Sequence, residues 1–414
     1  MDYQSLLQEI RTYGSKGWAI VYGVSGAGEY ERAAGGAWIT GHKGKRFLDC
    51  GSFALFMFGH GNSKILTALQ DLLSDGLSGT SRVLCHAELA VALESLVALA
   101  PSHLQKAMFL NSGSEAVEAA IKLCRLKTKR KKLAHLSGSY HGKTAGALSL
   151  TDHAGFKADA HPLLQDVVRI ERENAIELET ALATGDIAGL FVEAVQGEGG
   201  IHPVEPAFLQ TAYKLCRQYG TLLVADEIQS GLGRTGRLWA FERSNIEPDI
   251  VLAGKSLGGG IVPVSALIAS ESAFSPFDHN PYLHSSTYGG NPLACRTVIA
   301  VTEIAQAKNF LPDVEQKGAW IESALEHLHN QFSDVLSACT GFGLMRGLHF
   351  SSNIYAATTL EYCLKTGLLL SPCLSNPTVL RLVPPYCLER SDVDYMHGVL
   401  QQALHHCRTL QESS

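Results

Sequence analysis

Short apolar runs alternate with longer amphipathic runs through the middle of this chain, and that rhythm constrains the fold more than any other feature. Lys106–Leu110 (KAMFL) reads as a strand, and Ser114–Arg125 (SEAVEAAIKLCR) places its apolar residues at helical spacing. Ala188–Val195 (AGLFVEAV), Thr221–Ala225 (TLLVA) and Asp249–Ala253 (DIVLA) read as further strands, with a helix over Phe208–Tyr219 between two of them. Strands alternating with helices make parallel β-α-β units, so the pattern predicts an α/β fold with a mostly parallel sheet. Strands without polar alternation need cover on both faces.

The two ends read differently. Residues Gly36–Asp49 look like a small antiparallel hairpin, and a long amphipathic helix starts near Leu311. A further helix is expected near Thr358–Thr366, then short strands and a last helix. We therefore expect a large α/β domain over residues 51–310. A smaller α+β domain would form from both chain ends, 1–50 and 311–414.

The chain has 414 residues, 46% hydrophobic and 18% charged, with a net charge of −6. No basic balance is present to hold a polyanion, which argues against a nucleic-acid partner. The basic run Lys127–Lys132 falls where the helix from Ser114 should end, and cations there complement the helix dipole. The ten cysteines include no C-x-x-C pair, so they read as buried cytosolic thiols rather than a disulfide framework. His405-His406-Cys407 reads as the exposed end of a final helix rather than a metal cluster. Met1–Ile20 lacks an apolar signal core, and Phe53–Phe58 is far too short to span a bilayer. These features predict a cytoplasmic protein with no membrane partner.

Ligands of open α/β sheets bind beyond the C-terminal ends of the strands. Five candidate strands or their following loops end in polar or glycine-rich segments: Asn111–Glu115, Ser139–Lys143, Gln196–Gly200, Asp226–Gln229 and Gly254–Ser256. Asn111–Glu115 opens a helix, where free N–H groups suit a phosphate; taken alone, an ordinary N-cap by Ser112 or Ser114 is the simpler reading. Asp226 ends an apolar strand, where a buried carboxylate needs a protonated ring nitrogen or a salt-bridge partner. Gln229, three residues on, could donate to a phenolate oxygen. Lys255 follows an apolar run and precedes glycines. Desolvation there would make it a nucleophile; the alternative is a surface lysine before a loop. Periodicity alone gives an α/β enzyme with a phosphate-bearing ligand and stops there.

With these segments placed, the chain resembles the class III aminotransferases, which include ornithine, acetylornithine, putrescine and GABA aminotransferases. The resemblance rests on NSGSEAVEAAIKLCR (Asn111–Arg125), YHGKTAGALS (Tyr140–Ser149), VEAVQGEGG (Val192–Gly200) and LLVADEIQSGLGRTG (Leu222–Gly236). DIVLAGKSLGGG (Asp249–Gly260), STYGGNPLAC (Ser286–Cys295) and VLRLVPPY (Val379–Tyr386) follow in order. It implies the PLP-dependent transferase fold type I and the cofactor pyridoxal 5′-phosphate (PLP). Lys255 would carry PLP as a Schiff base and later shuttle a proton. Asp226 would keep the ring nitrogen protonated, making the ring an electron sink. Gln229 would contact the phenolic oxygen, Gly113 and Ser114 the phosphate, and Tyr140 the ring face. Ser112, His141 and Glu193, in the same motifs, join this cofactor-binding set. Thr287 would reach the phosphate from a neighbouring subunit, which implies a homodimer with shared sites. Glu198 and Arg381 match a pair that serves two substrates. The arginine grips a dicarboxylate in a bidentate fork, and the glutamate covers it when the other substrate binds.

The departures bear on the substrate. Lys143 stands where members that bind an α-amino acid's carboxylate have arginine, and lysine lacks the planar fork. Trp38 and Phe53 fall near tyrosines that face substrate in the ornithine enzymes. Phe53–Phe58 is greasier than usual, Gly61-Asn62 replaces the His-Pro that follows Gly-His, and Ala194 replaces a common proline. Together these favour a diamine, an ω-amino acid or a larger, less polar amine as donor, with 2-oxoglutarate as keto-acid acceptor. An aminomutase of the glutamate-1-semialdehyde type and a non-catalytic scaffold share the fold and are the alternatives.

Overall fold

The computed structural model describes residues 1–25, 27–76 and 83–412. Its central sheet has seven strands: β1 (Lys106–Leu110), β2 (Lys132–Leu136), β3 (Val167–Ile170), β4 (Ile187–Val192), β5 (Leu222–Asp226), β6 (Ile250–Ala253) and β7 (Ser265–Ala269). Their order is β1-β7-β6-β5-β4-β2-β3. All neighbours are parallel except β7, which runs antiparallel to both β6 and β1. The turn from β6 into β7 carries no crossover helix, and antiparallel neighbours need none. The C-terminal ends of β1, β2, β4, β5 and β6 therefore share one edge with the start of β7.

The apolar runs become strands because both sheet faces are covered. Every residue of β4 and β6 is buried. Helix α1 (Gly113–Thr128) lies on one face, burying Ala116, Val117, Ala120, Ile121 and Cys124. It approaches closely enough that a Cβ at Gly189 of β4 would meet the Cys124 Sγ at 2.7 Å. Ser112 caps its start by accepting from the Glu115 amide at 3.2 Å, and left-handed Lys129 (φ 60°) ends it. The basic run thus spans a helix end and a strand start: Lys132 opens β2 and pairs with Asp186 at 2.7 Å.

The expected strand Ala188–Val195 breaks after Val192. Glu193 leaves the ladder because its carboxylate accepts the amides of Tyr140 (2.8 Å) and Gly197 (3.0 Å). Val195–Gln196 then pairs with His202–Pro203.

The two chain ends meet in one sheet. Glu31–Gly35, Trp38–Gly41 and Arg46–Asp49 form an antiparallel meander, and Leu368–Leu369 adds in parallel beside Arg46–Asp49. A second four-stranded sheet comprises Leu336–Phe342, Met345–Phe350, Asn376–Leu382 and Ser371–Cys373. Helices α2 (Phe310–Gln331), α3 (Asn353–Thr366) and α4 (Arg390–Glu412) pack around it. His405 and His406 are exposed on α4, but Cys407 is buried and bonded to Thr359 of α3, so the last helix is anchored rather than free. Among the described residues, no helix is long and apolar enough to cross a membrane.

Candidate active site

The strand ends converge on a cavity of about 190 Å³. Ser112, Gly113 and Ser114 reach it from beyond β1, Tyr140 and His141 from beyond β2, and Glu193 and Glu198 from beyond β4. Asp226 and Gln229 reach it from β5, and Lys255 from beyond β6. Residues up to 143 positions apart in sequence are thus neighbours because one sheet edge carries them all.

Lys255 is the first residue of a single 3-10 turn, after an extended Gly254, and holds a left-handed φ of 45°. That conformation is costly for a side-chain-bearing residue, and such strain concentrates at working sites. The lysine is partly exposed to the cavity, but the surrounding protein strips water from its ammonium. Burial pulls its pKa down to about 8, only partly countered by Glu198, while Arg381 pushes the same way as burial. A substantial fraction is therefore free amine near neutral pH.

Asp226, the last residue of β5, accepts from His141 Nδ1 at 2.7 Å, with side-chain exposures of 5% and 0%. Burial alone would lower the His141 pKa. The carboxylate beside it more than offsets this, and the net shift is upward. The Ile228 amide at 3.1 Å fixes the other Asp226 oxygen. Glu193 lies behind this pair; burial raises its pKa to about 7 even though the nearby His141 and two amides oppose the rise.

Glu198 and Arg381 form a buried ion pair with side-chain exposures of 4% and 0%. Arg381 sits on the strand Asn376–Leu382. Its Nε donates to Ser371 Oγ at 3.3 Å and Nη1 also donates to Gln229 Oε1 at 3.3 Å, while Nη2 is buried without a partner among the described residues. Glu198 accepts from the Leu374 amide at 3.0 Å. Burial favours the neutral acid, yet Arg381 and Lys255 hold Glu198 ionised, below the usual range. Phe53, left-handed at φ 51°, lays its ring 5.0 Å from the Arg381 guanidinium.

Three expected residues lie elsewhere. The Trp38 indole donates to Asp392 at 2.9 Å and packs on Tyr395, so it braces α4 and does not line this cavity. Lys143 is exposed, with its ammonium 4.3 Å from the Phe156 ring. Thr287 is also exposed and outside this chain's cavity wall. Conversely, sequence reasoning missed Ser371 and Leu374, whose contacts with Arg381 and Glu198 cross more than 170 positions in the latter case. Gln229, expected only at a phenolic oxygen, is also tied to the ion pair through its amide, which donates to Glu198 at 3.3 Å.

These residues fit PLP. The first amides of α1 have no carbonyl partner within the helix, and Gly113 and Ser114, which carry two of them, line the cavity, as an anion site requires. A Cβ at Gly113 would meet Ile228 Cδ1 at 2.9 Å, so the phosphate end of the cavity tolerates only glycine there without movement. A buried carboxylate and a desolvated lysine occupy the same cavity. The sequence matches the family described as Aminotransferase class-III over residues 27–404. An ornithine aminotransferase from Toxoplasma gondii superposes with a TM-score of 0.87 at 26% identity, covering 93% of this chain and 92% of that one. An amine transaminase from an uncultivated Pseudomonas species, in a PLP-bound form, gives 0.85 at 24% identity over 92% and 95%. A Vibrio fluvialis aminotransferase gives 0.83 at 23% identity over 90% and 92%. The chain belongs to the class-III aminotransferase family, the PLP-dependent transaminases of fold type I.

Proposed function

We propose that the enzyme is a cytoplasmic homodimer that moves an amino group between a primary amine or ω-amino acid and 2-oxoglutarate. The observation that carries this reading is the Glu198–Arg381 pair, buried yet dismountable, beside Lys255. Arg381 offers a dicarboxylate two parallel N–H groups, and its unpartnered Nη2 is the second of them. When the donor carries no carboxylate at that end, Glu198 neutralises the arginine, so an uncharged chain meets a neutral wall.

Bound PLP supplies an electrophilic carbon for the amine and a cationic ring that stabilises charge at the neighbouring carbon. Lys255 Nζ moves the proton at the substrate carbon; its lowered pKa suits it to act as base and acid near pH 8. Asp226, held by His141, keeps the ring nitrogen protonated. Gly113 and Ser114, with Ser112 as cap, hold the phosphate, Tyr140 covers the ring, and Gln229 contacts the phenolic oxygen. Glu193 ties the Tyr140 loop to the Gly197 loop. Thr287 completes the phosphate site of the second protomer. Phe53, over Arg381, gives the donor an apolar wall, and Lys143, turned onto Phe156 outside the cavity wall, supplies no carboxylate fork. This supports a donor lacking an α-carboxylate. The chain divides into the lobes 1–50 with 311–414, and 51–310.

The test is a panel of diamines, ω-amino acids and larger amines, each with 2-oxoglutarate, read as glutamate formed. At least one should turn over at least tenfold faster than ornithine. Ornithine as the best donor would overturn the substrate reading. Product formed from an amino aldehyde with no keto acid added would favour the aminomutase.

A further inference from the structure

A second cavity, also of about 190 Å³, lies where α2 crosses the loop Thr235–Gly236 and the turn Phe342–Gly343. It shares no lining residue with the active-site cavity. Its wall carries two arginines and one unmet buried donor. Arg346 is only 7% exposed; its Nε and Nη1 bond to Gly343 O, Gly341 O and Glu322. The Thr235 hydroxyl is fully buried and has no hydrogen-bond partner among the described residues. Arg243, also on the wall, spends one nitrogen on Thr235 O and lays its guanidinium 4.4 Å from the Phe342 ring. Burial lowers the pKa of Arg243, and repulsion from Arg237 and Arg346 adds to that shift beyond what Glu315 recovers. The carboxylates of Glu315 and Glu322 stand at the rim, with side chains 54% and 53% exposed.

A buried hydroxyl left without an acceptor is costly unless something accepts from it. We propose that this cavity binds the oxyanion of a small metabolite, a carboxylate or a phosphate, between Arg346, Arg243 and the Thr235 hydroxyl. Arg presents its fork to both anions in the same way. The site adjoins the active-site wall through Arg234, the residue before Thr235. Arg234 is fully buried and donates to Pro384 O and, at 3.4 Å, to Ala54 O. Ala54 follows Phe53, and Pro384 lies three residues beyond Arg381.

The experiment is calorimetric titration of the PLP-loaded enzyme with inorganic phosphate and, separately, with acetate. Loading fills the cofactor's own phosphate site, so phosphate reports elsewhere. Saturable binding of one or both is expected at concentrations up to ~10 mM. It should weaken at least tenfold in Arg346→Leu and in Arg243→Ala, and persist in Arg381→Lys. Arg243 is exposed, so its variant should fold even if the Arg346 variant does not. Phosphate binding without acetate binding assigns a phosphate ester, and the reverse assigns a carboxylate. Binding lost only in Arg381→Lys, binding unchanged in Arg243→Ala, or no saturation by either anion would overturn the proposal. None of these outcomes depends on the amino donor.

Discussion

Glu198 and Arg381 pair inside the protein with neither side chain more than 4% exposed, although 183 positions separate them in the sequence. The pair is fixed from behind by Ser371 and Leu374 rather than by solvent. Removing one member strands the other charge in a dry site. Arg381→Leu should therefore destabilise the apoprotein by about 3–5 kcal/mol, while Arg381→Leu with Glu198→Leu recovers much of that loss. Urea unfolding of the single and double variants measures this. Equal destabilisation of both would mean the pair is not coupled. The single variant should also raise the KM for 2-oxoglutarate by about a hundredfold, the loss expected for one buried charged partner.

Lys255 makes stability depend on pH. Its folded pKa of about 8 lies below the ordinary lysine value of 10.5. Between those values the unfolded chain binds a proton that the folded chain does not, so folding is favoured as pH rises. The stability of the wild-type apoprotein relative to Lys255→Met should climb from about pH 8 and level off near 10.5. At pH 7 the methionine variant should be the more stable by roughly 1–3 kcal/mol. The same titration should govern PLP uptake, whose rate rises with pH through about 8. An uptake midpoint above pH 10 would place the lysine in water.

Asp226→Asn should keep the shape of the site and lower turnover by roughly a hundredfold or more, since an amide cannot hold a proton on the ring nitrogen. His141 adds a second signature. Its folded pKa is raised by Asp226, so their pairing stabilises the protein below the unfolded histidine pKa of 6.5 and fades as pH passes the raised folded value. The variant should lose more stability at pH 6 than at pH 9. Thermal melts at the two pH values decide it; a larger loss at pH 9 would contradict the charged pair.

The shared-site reading places Thr287 against the other protomer. Sedimentation should give a particle of two chains, and Thr287→Val should weaken PLP retention severalfold without lowering monomer stability. A monomeric, fully active enzyme would remove that role. Mixing inactive Lys255→Ala with Thr287→Val subunits gives a further check, because a mixed dimer combines both defects in one site and keeps the other intact. At a PLP concentration low enough that Thr287→Val keeps less than about a third of wild-type activity, the mixture should then exceed either parent, because random pairing leaves roughly a quarter of the sites intact.

Much of the sheet could be read from the sequence because its central strands are uninterrupted apolar runs ending in polar loops; Leu222–Asp226 and Lys106–Leu110 are examples. Strand β2 was hidden because its first residue, Lys132, extends a basic run whose charge is met by Asp186 on a different loop. Strand β7 carries no sequence signal of its direction; the connection from β6, residues 254–264, has no crossover helix and lets it run antiparallel. At the site, each strand-end residue carries its own local signal. Their pairings do not: His141 meets Asp226 across 85 positions, and Trp38 finds Asp392 across 354. Nothing near Trp38 distinguishes a substrate wall from a brace for α4.

The measurement that reaches the central claim most directly is a half-reaction. PLP-loaded protein would be mixed with glutamate alone, and 2-oxoglutarate counted per active site as the cofactor's visible absorbance changes. The account predicts close to one equivalent released in a single burst, no burst in Lys255→Ala, and a burst needing roughly a hundredfold more glutamate in Arg381→Leu. A bound cofactor that glutamate leaves untouched would contradict the two-substrate role of Glu198 and Arg381, and with it the assignment of 2-oxoglutarate as the acceptor.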